Sequence, residues 1–221
     1  MILVFDLDDT LYNEMDFVIS GFNSVSSYLS DTYGLPSTAE DMCNILAKYG
    51  RGQIFNSILS KYNIFSIKKL KKCISIYRYH QPNIRLFDSA RQCIRRFSSY
   101  PKYIVTDGNK LVQANKINAL NIKHMFTGIY ITRNYGTDKE KPSPYCFKKI
   151  QAKENVQPQK IVYIGDNSNK DFVEIKKLGF KTIRIKQGFY KNIHVSKEYE
   201  AEFILSSLDE LDTEFILSLK G

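Results

Sequence analysis

The chain is poor in the side chains that build zinc sites, disulfide frameworks and imidazole chemistry, with three histidines and four cysteines among 221 residues. Cys43, Cys73, Cys93 and Cys146 are widely scattered and form no Cys-x-x-Cys pair. Reduced, packing thiols and a cytoplasmic location are therefore expected, rather than a metal knuckle or a disulfide scaffold. His80, His124 and His194 stand far apart, with no metal-ligand spacing. Long apolar runs are also missing. Stretches such as Ile161–Ile164 fall far short of the roughly 20 residues needed to cross a bilayer, so no transmembrane helix is expected. Met1–Phe5 meets Asp6 with no basic stretch and no small-residue cleavage site, so no secretory leader is expected either. No internal repeat or low-complexity tract is present. Apolar and charged fractions of 43% and 25% are those of an ordinary globular protein and exclude a disordered or fibrous chain.

Acidic residues are the other shortage. The formal charge is +9, and between Arg51 and Lys102 a run of bases (Lys68, Lys69, Lys71, Lys72, Arg78, Arg85, Arg91, Arg95 and Arg96) faces Asp88 as its only acid. Such a field attracts anionic substrates or nucleic acid. The plainer reading, a solvated helix face in a basic protein, is preferred, and Arg51, Lys72, Arg78 and Arg85 stand as candidate anion contacts.

What is present is an alternation of short apolar runs and helical patterns. Met1–Phe5, Tyr103–Val105, Gly128–Ile131, Ile161–Ile164, Thr182–Ile185 and Phe203–Leu205 read as strands, most of them buried on both faces. Helical spacing runs from Phe17 to about Tyr33, through Met42–Ala47, Ile54–Leu59 and Ile67–Ile76, and again over Lys110 to about Leu120 and Asp171–Leu178. A further helix is expected over Pro142–Lys149, with proline in its first turn. Strand–helix alternation predicts a doubly wound, mostly parallel α/β sheet. The helical stretch between the first two strands is too long for a simple crossover and is read as an inserted, all-helical domain.

In such a sheet, ligands bind beyond the carboxyl ends of the strands. Asp6, Asp8 and Thr10 follow the first strand, Thr106 and Asp107 the second, Lys141 the third, and Asp166 and Asp171 the fourth. Carboxylates gathered in one crevice repel each other unless a hard divalent cation joins them, and Mg2+ suits such a set. One carboxylate can attack phosphorus, a second can serve as acid and base, and a lysine with a threonine hydroxyl suits the transferring phosphoryl oxygens. The parts of phosphoryl transfer are all there. Taken singly, each motif has an ordinary structural explanation as helix cap or turn chemistry; their joint order is what outweighs it.

The series Phe5-Asp6-Leu7-Asp8-Asp9-Thr10-Leu11, Val105-Thr106-Asp107-Gly108-Asn109, Lys141-Pro142-Ser143-Pro144 and Ile164-Gly165-Asp166-x4-Asp171 resembles the four motifs of the haloacid dehalogenase superfamily. The resemblance spans residues 1 to about 185. It implies a Rossmann-like catalytic core over 1–13 and 98–221 and a helical cap over 14–97. It makes Asp6 the nucleophile and a metal ligand. Asp8 becomes the general acid and base, with its carbonyl on the metal. Thr106, the N–H of Asp107 and Lys141 would hold phosphate oxygens, while Asp166 would ligate Mg2+ and Asp171 would support the metal or Lys141. Dehalogenases of the superfamily need no metal and lack the second aspartate, so Asp8 favours phosphoryl chemistry. The missing membrane segments set aside the ATPase branch. A cap between the first two motifs resembles the branch of phosphoglycolate phosphatases, nucleotidases and N-acylneuraminate phosphatases. The expectation is a Mg2+-dependent phosphatase of a small phosphorylated metabolite, monomeric or homodimeric, with no membrane partner and no nucleic-acid partner expected. The alternatives are a phosphomutase of the β-phosphoglucomutase type, or a nucleic-acid-binding or end-processing protein that uses the basic segment.

Overall fold

A computed structural model describes residues 1–219. Six strands form one sheet: β1 Ile2–Phe5, β2 Lys102–Thr106, β3 Gly128–Ile131, β4 Ile161–Gly165, β5 Lys181–Ile185 and β6 Phe203–Leu205. Their order is β3-β2-β1-β4-β5-β6, and every neighbouring pair is parallel. β1, β2 and β4 are buried along their whole length, which is why they read as unbroken apolar runs rather than alternating ones. The helices are α1 Glu14–Tyr33, α2 Ala39–Tyr49, α3 Ile54–Lys61, α4 Ile67–Tyr79, α5 Asp88–Arg96, α6 Lys110–Ala119, α7 Tyr145–Glu154, α8 Val173–Lys177 and α9 Thr213–Ser218.

The chain proceeds outward from β1 to β2 and β3, then returns to place β4 on the other side of β1. This reversal opens a crevice at the carboxyl ends of β1 and β4, the place where an open parallel sheet binds its ligands. All four segments singled out in the sequence end at or near it.

Two compact units divide the chain, Met1–Glu14 with Arg85–Gly221, and Met15–Ile84. The smaller unit is built from helices around Val18, Phe22, Val25, Leu29, Met42, Ile58, Leu59 and Cys73. Gly21 serves close packing there, since a Cβ on it would lie 2.5 Å from the Tyr77 ring. Arg51 and Arg78 line a hollow of about 290 Å³ within this unit, whereas the Lys72 ammonium lies over the Tyr28 ring.

The division differs from the expected boundary at residue 97, because α5 belongs with the sheet. Phe87 N–H donates to Leu11 O, and Tyr12 bridges Leu86. Arg96 Nη1 donates to Leu211 O at 2.6 Å. The buried Lys102 ammonium, on β2, takes the carbonyls of Phe97, Ser98 and Tyr100 at 2.7, 3.3 and 3.2 Å, the carbonyls that follow α5. A second difference concerns the expected helix over Pro142–Lys149. It begins at Tyr145, after Pro144. Ser143 precedes a proline, and the proline ring disfavours helical backbone at the residue before it. α9 had no counterpart in the sequence reading.

Lys102→Met should leave those three carbonyls without their donor and cost about 2 kcal/mol of stability. Urea unfolding checks this; an unchanged midpoint would mean that water replaces the ammonium at no cost.

Candidate active site

β1 ends at Phe5, and Asp6 follows directly, with its N–H donating to Ile164 O of β4 at 2.8 Å. That bond fixes the first carboxylate at the mouth of the crevice. Asp6 Oδ1 accepts from the Leu7 amide at 2.8 Å, and Oδ2 accepts from Lys141 Nζ at 2.8 Å. The Lys141 ammonium is almost wholly enclosed and also pairs with Asp171 Oδ1 at 2.8 Å and donates to the Tyr163 hydroxyl at 2.8 Å. Tyr163, on β4, in turn donates to Asp171 Oδ1 at 3.3 Å. Burial alone would lower the Lys141 pKa, but Asp171 and Asp6 hold it well above the ordinary lysine value.

Asp166 follows Gly165 at the end of β4. One carboxylate oxygen from each of Asp6, Asp166 and Asp171 lies within 4.8 Å of the others, and all three residues are buried. Burial, with Asp171 and Asp6 nearby, pushes the Asp166 carboxyl up to about 9. Among the described residues it has neither an ion-pair partner nor a hydrogen-bond donor. Burial likewise raises Asp6 to about 7 against the opposing pull of Lys141. Asp171 Oδ2 accepts from the Asn167 amide at 3.0 Å and lies 2.5 Å from where a Cβ on Gly165 would sit. Glycine before Asp166 is therefore what lets the last carboxylate close on the site. Three oxygens, one of them without a counter-charge, fit a hard divalent cation.

Asp8 points elsewhere. Its carboxylate accepts from Lys116 Nζ at 2.7 Å, Gln113 Nε2 at 2.9 Å and the Tyr12 hydroxyl. Burial works against ionisation, but the charge of Lys116 and the hydrogen bonds from Lys116, Tyr12 and Gln113 together hold Asp8 below its ordinary pKa. Gln113 also donates to Thr106 Oγ1 at 2.6 Å and so ties the second segment to the first. The Asp107 carboxylate accepts from Thr132 Oγ1 at 2.8 Å, the Lys141 amide at 3.1 Å and Lys170 Nζ at 2.8 Å. Asp9 has a left-handed backbone, φ 53°, and binds the Glu14 and Phe189 amides, both at 2.9 Å. It staples the loop and has no place in the cluster.

Asp6, Lys141, Asp166 and Asp171 thus converge directly. Asp8 and Thr106 form a second group through Gln113, and Asp107 forms a third through Lys170. The sequence reading did not include Gln113, Lys116, Thr132, Tyr163 or Lys170. Gln113 and Lys116 lie three apart on one face of the helix that follows Thr106-Asp107, and only their burial in the fold marks them.

The sequence profile of the haloacid dehalogenase-like hydrolases matches residues 3–185. A glyceraldehyde 3-phosphate phosphatase of Methanocaldococcus jannaschii is 29% identical, over 95% of this chain and 94% of that protein. In three dimensions the chain is similar to a magnesium-bound Bacillus subtilis protein assigned to the same hydrolases, with TM-score 0.66, 17% identity and 95% and 96% of the two chains covered. It is equally similar to a 2-haloacid dehalogenase of Pseudomonas syringae, with TM-score 0.66, 14% identity and 100% and 99% covered. Similarity this remote shows the fold alone. With the profile running from β1 to the end of β5 and across all four polar strand ends, the chain belongs to the haloacid dehalogenase-like hydrolases.

Proposed function

We propose that this hydrolase is a Mg2+-dependent phosphatase of a small phosphorylated metabolite, acting through a phospho-aspartate on Asp6. The observation that carries the reading is the enclosed Lys141 ammonium on Asp6 beside the uncompensated Asp166. It gives a positioned nucleophile and a site that calls for a divalent cation. Asp8, which distinguishes phosphoryl chemistry from dehalogenation in this family, supports it. The name borne by the archaeal relatives makes glyceraldehyde 3-phosphate the first ester to try. The helical insertion is assigned the selection among leaving groups.

Asp6, Asp166, Asp171 and the Asp8 carbonyl would hold Mg2+, which supplies charge neutralisation between carboxylates and phosphoryl oxygens. A carboxylate oxygen of Asp6 attacks phosphorus, and the ester P–O bond breaks. The protonated Asp8 carboxyl delivers its proton to the departing alkoxide. Lys141, the Thr106 hydroxyl and the Asp107 amide neutralise the phosphoryl oxygens. Asp8, now ionised, takes a proton from water as that water attacks phosphorus. The acyl–phosphate P–O bond breaks, and orthophosphate and the Asp6 carboxylate are regenerated. Three donors on Asp8 favour its ionised form, the one that serves hydrolysis of the intermediate. The acid form needed first arises when one of those donors is released.

Phosphate release should be measured from glyceraldehyde 3-phosphate, phosphoglycolate, sugar phosphates and nucleotides, with Mg2+ and with chelator. Mg2+-dependent release is expected, falling at least about 1,000-fold in Asp6→Asn with the fold intact. An Asp6→Asn protein retaining most activity would refute the mechanism.

Proton and metal binding should also compete. Asp6 and Asp166 have folded pKa values of about 7 and about 9, raised from an ordinary 3.8. Their contribution to stability is complete below the unfolded value and is lost as pH rises through the folded ones. The metal-free protein should therefore lose stability between pH 6 and 9, and Mg2+ should raise the melting temperature more at pH 9 than at pH 6. Equal Mg2+ shifts at both pH values would contradict this assignment of the cluster.

A further inference from the structure

The crevice contains a carboxylate that the reaction does not use and that a phosphate ester should resent. Asp107 follows Thr106 at the tip of β2, on the residue whose amide is assigned to a phosphoryl oxygen. Its side chain is nearly enclosed, 12% exposed, and holds three donors. Two of them, the Thr132 hydroxyl and the Lys141 amide, are neutral. Burial opposes its ionisation, but Lys141 and Lys170 together keep its pKa below the ordinary carboxylate value, so it faces the site as an anion. An anion there repels the dianionic ester that the same loop must bind.

The Lys141 charge also favours the Asp107 carboxylate, but that ammonium is bonded to Asp6 and Asp171, and only the Lys141 backbone makes a hydrogen bond to Asp107. Among the described residues, the one ammonium bonded to Asp107 is that of Lys170, at 2.8 Å. Lys170 precedes Asp171 in the loop between β4 and α8. Successive residues of that loop therefore face different partners: Asp171 turns to the Lys141 cluster and Lys170 to the tip of β2. The loop is held in this shape by the Lys170 and Asp171 amides, which both donate to Asn167 O, at 3.1 and 3.0 Å.

We propose that Lys170 is a positioning residue for phosphate binding, whose ammonium neutralises Asp107 and so keeps the Thr106–Asp107 loop open to a phosphoryl group. The proposal rests on the phosphatase reading. Lys170 acts through Asp107 rather than on the ester, and this makes it separable by a double-mutant cycle.

Binding of inorganic phosphate in saturating MgCl2 would be measured by calorimetry, beside hydrolysis of p-nitrophenyl phosphate, for wild type, Lys170→Gln, Lys170→Arg, Asp107→Asn and Asp107→Asn/Lys170→Gln. Lys170→Gln should weaken phosphate binding roughly 10- to 100-fold and raise KM in parallel, with kcat changed less than about threefold. Lys170→Arg, which keeps the charge, should lie between Lys170→Gln and wild type. The double variant should return to within about threefold of wild type, because asparagine can still accept from Thr132 and the Lys141 amide without repelling phosphate. Melting temperatures report whether each variant is folded. A double variant as weak as Lys170→Gln, or a Lys170→Gln protein that binds phosphate like wild type, overturns the proposal. If wild type hydrolyses no phosphate ester yet the binding cycle behaves as described, the reaction falls and the charge pair stands. If hydrolysis is normal and the cycle is flat, the charge pair alone falls. A wild-type protein that neither hydrolyses nor binds phosphate overturns both.

Discussion

The contact between the Lys141 ammonium and two carboxylates, Asp6 and Asp171, is the constraint on which the rest of the site depends. An ammonium this enclosed would be severely destabilised without counter-charge, and two carboxylates this close would repel without it. Each partner arrives on a different piece of chain: Asp6 from the tip of β1, Lys141 from the stretch after β3, and Asp171 from the loop after β4. The ion triad, with the Tyr163 hydroxyl beneath it, therefore fixes the register of three loops at once. The reversal of strand order between β2 and β4 on either side of β1 is what brings those loops to one place.

Charge balance then explains the division of labour in the crevice. Asp8 is matched by Lys116, Asp107 by Lys170, and Asp6 with Asp171 by Lys141. Asp166 is left without a bonded cation, and burial beside Asp171 and Asp6 raises its pKa. Three buried carboxylates gathered round one ammonium leave the cluster with an excess of negative charge that a divalent cation would balance.

Much of this was legible in the sequence, for a physical reason. A sheet buried on both faces forces unbroken apolar runs, so β1, β2 and β4 announce themselves, and the polar residues that end them mark the crevice. Asp6, Asp8, Thr106, Lys141, Asp166 and Asp171 all lie at such strand ends or in the loops beyond them. What could not be read was partnership across the chain. Lys116 and Gln113 meet Asp8 from more than a hundred residues away, and on a helix a lysine reads as solvated surface until the fold buries it. Nothing in the sequence marks Lys170, a loop lysine whose partner Asp107 lies 63 residues away. α5 falls inside the expected 14–97 insertion, and its apolar stripe, Ala90, Cys93 and Ile94, says that a core exists without saying which one. The tie that decides it, Lys102 to the carbonyls after α5, depends on an ammonium being buried in a strand, which pattern reading discourages.

The central claim, that Asp6 carries the phosphoryl group, is tested most directly by trapping it. Turnover with Mg2+ and a phosphate ester would be quenched in acid, the acyl phosphate reduced with borohydride, and the peptide spanning residue 6 examined by mass spectrometry. The account predicts reduction of Asp6 to homoserine, dependent on substrate and on no other aspartate. Steady phosphate release without that product, or with the label on a different aspartate, would contradict it.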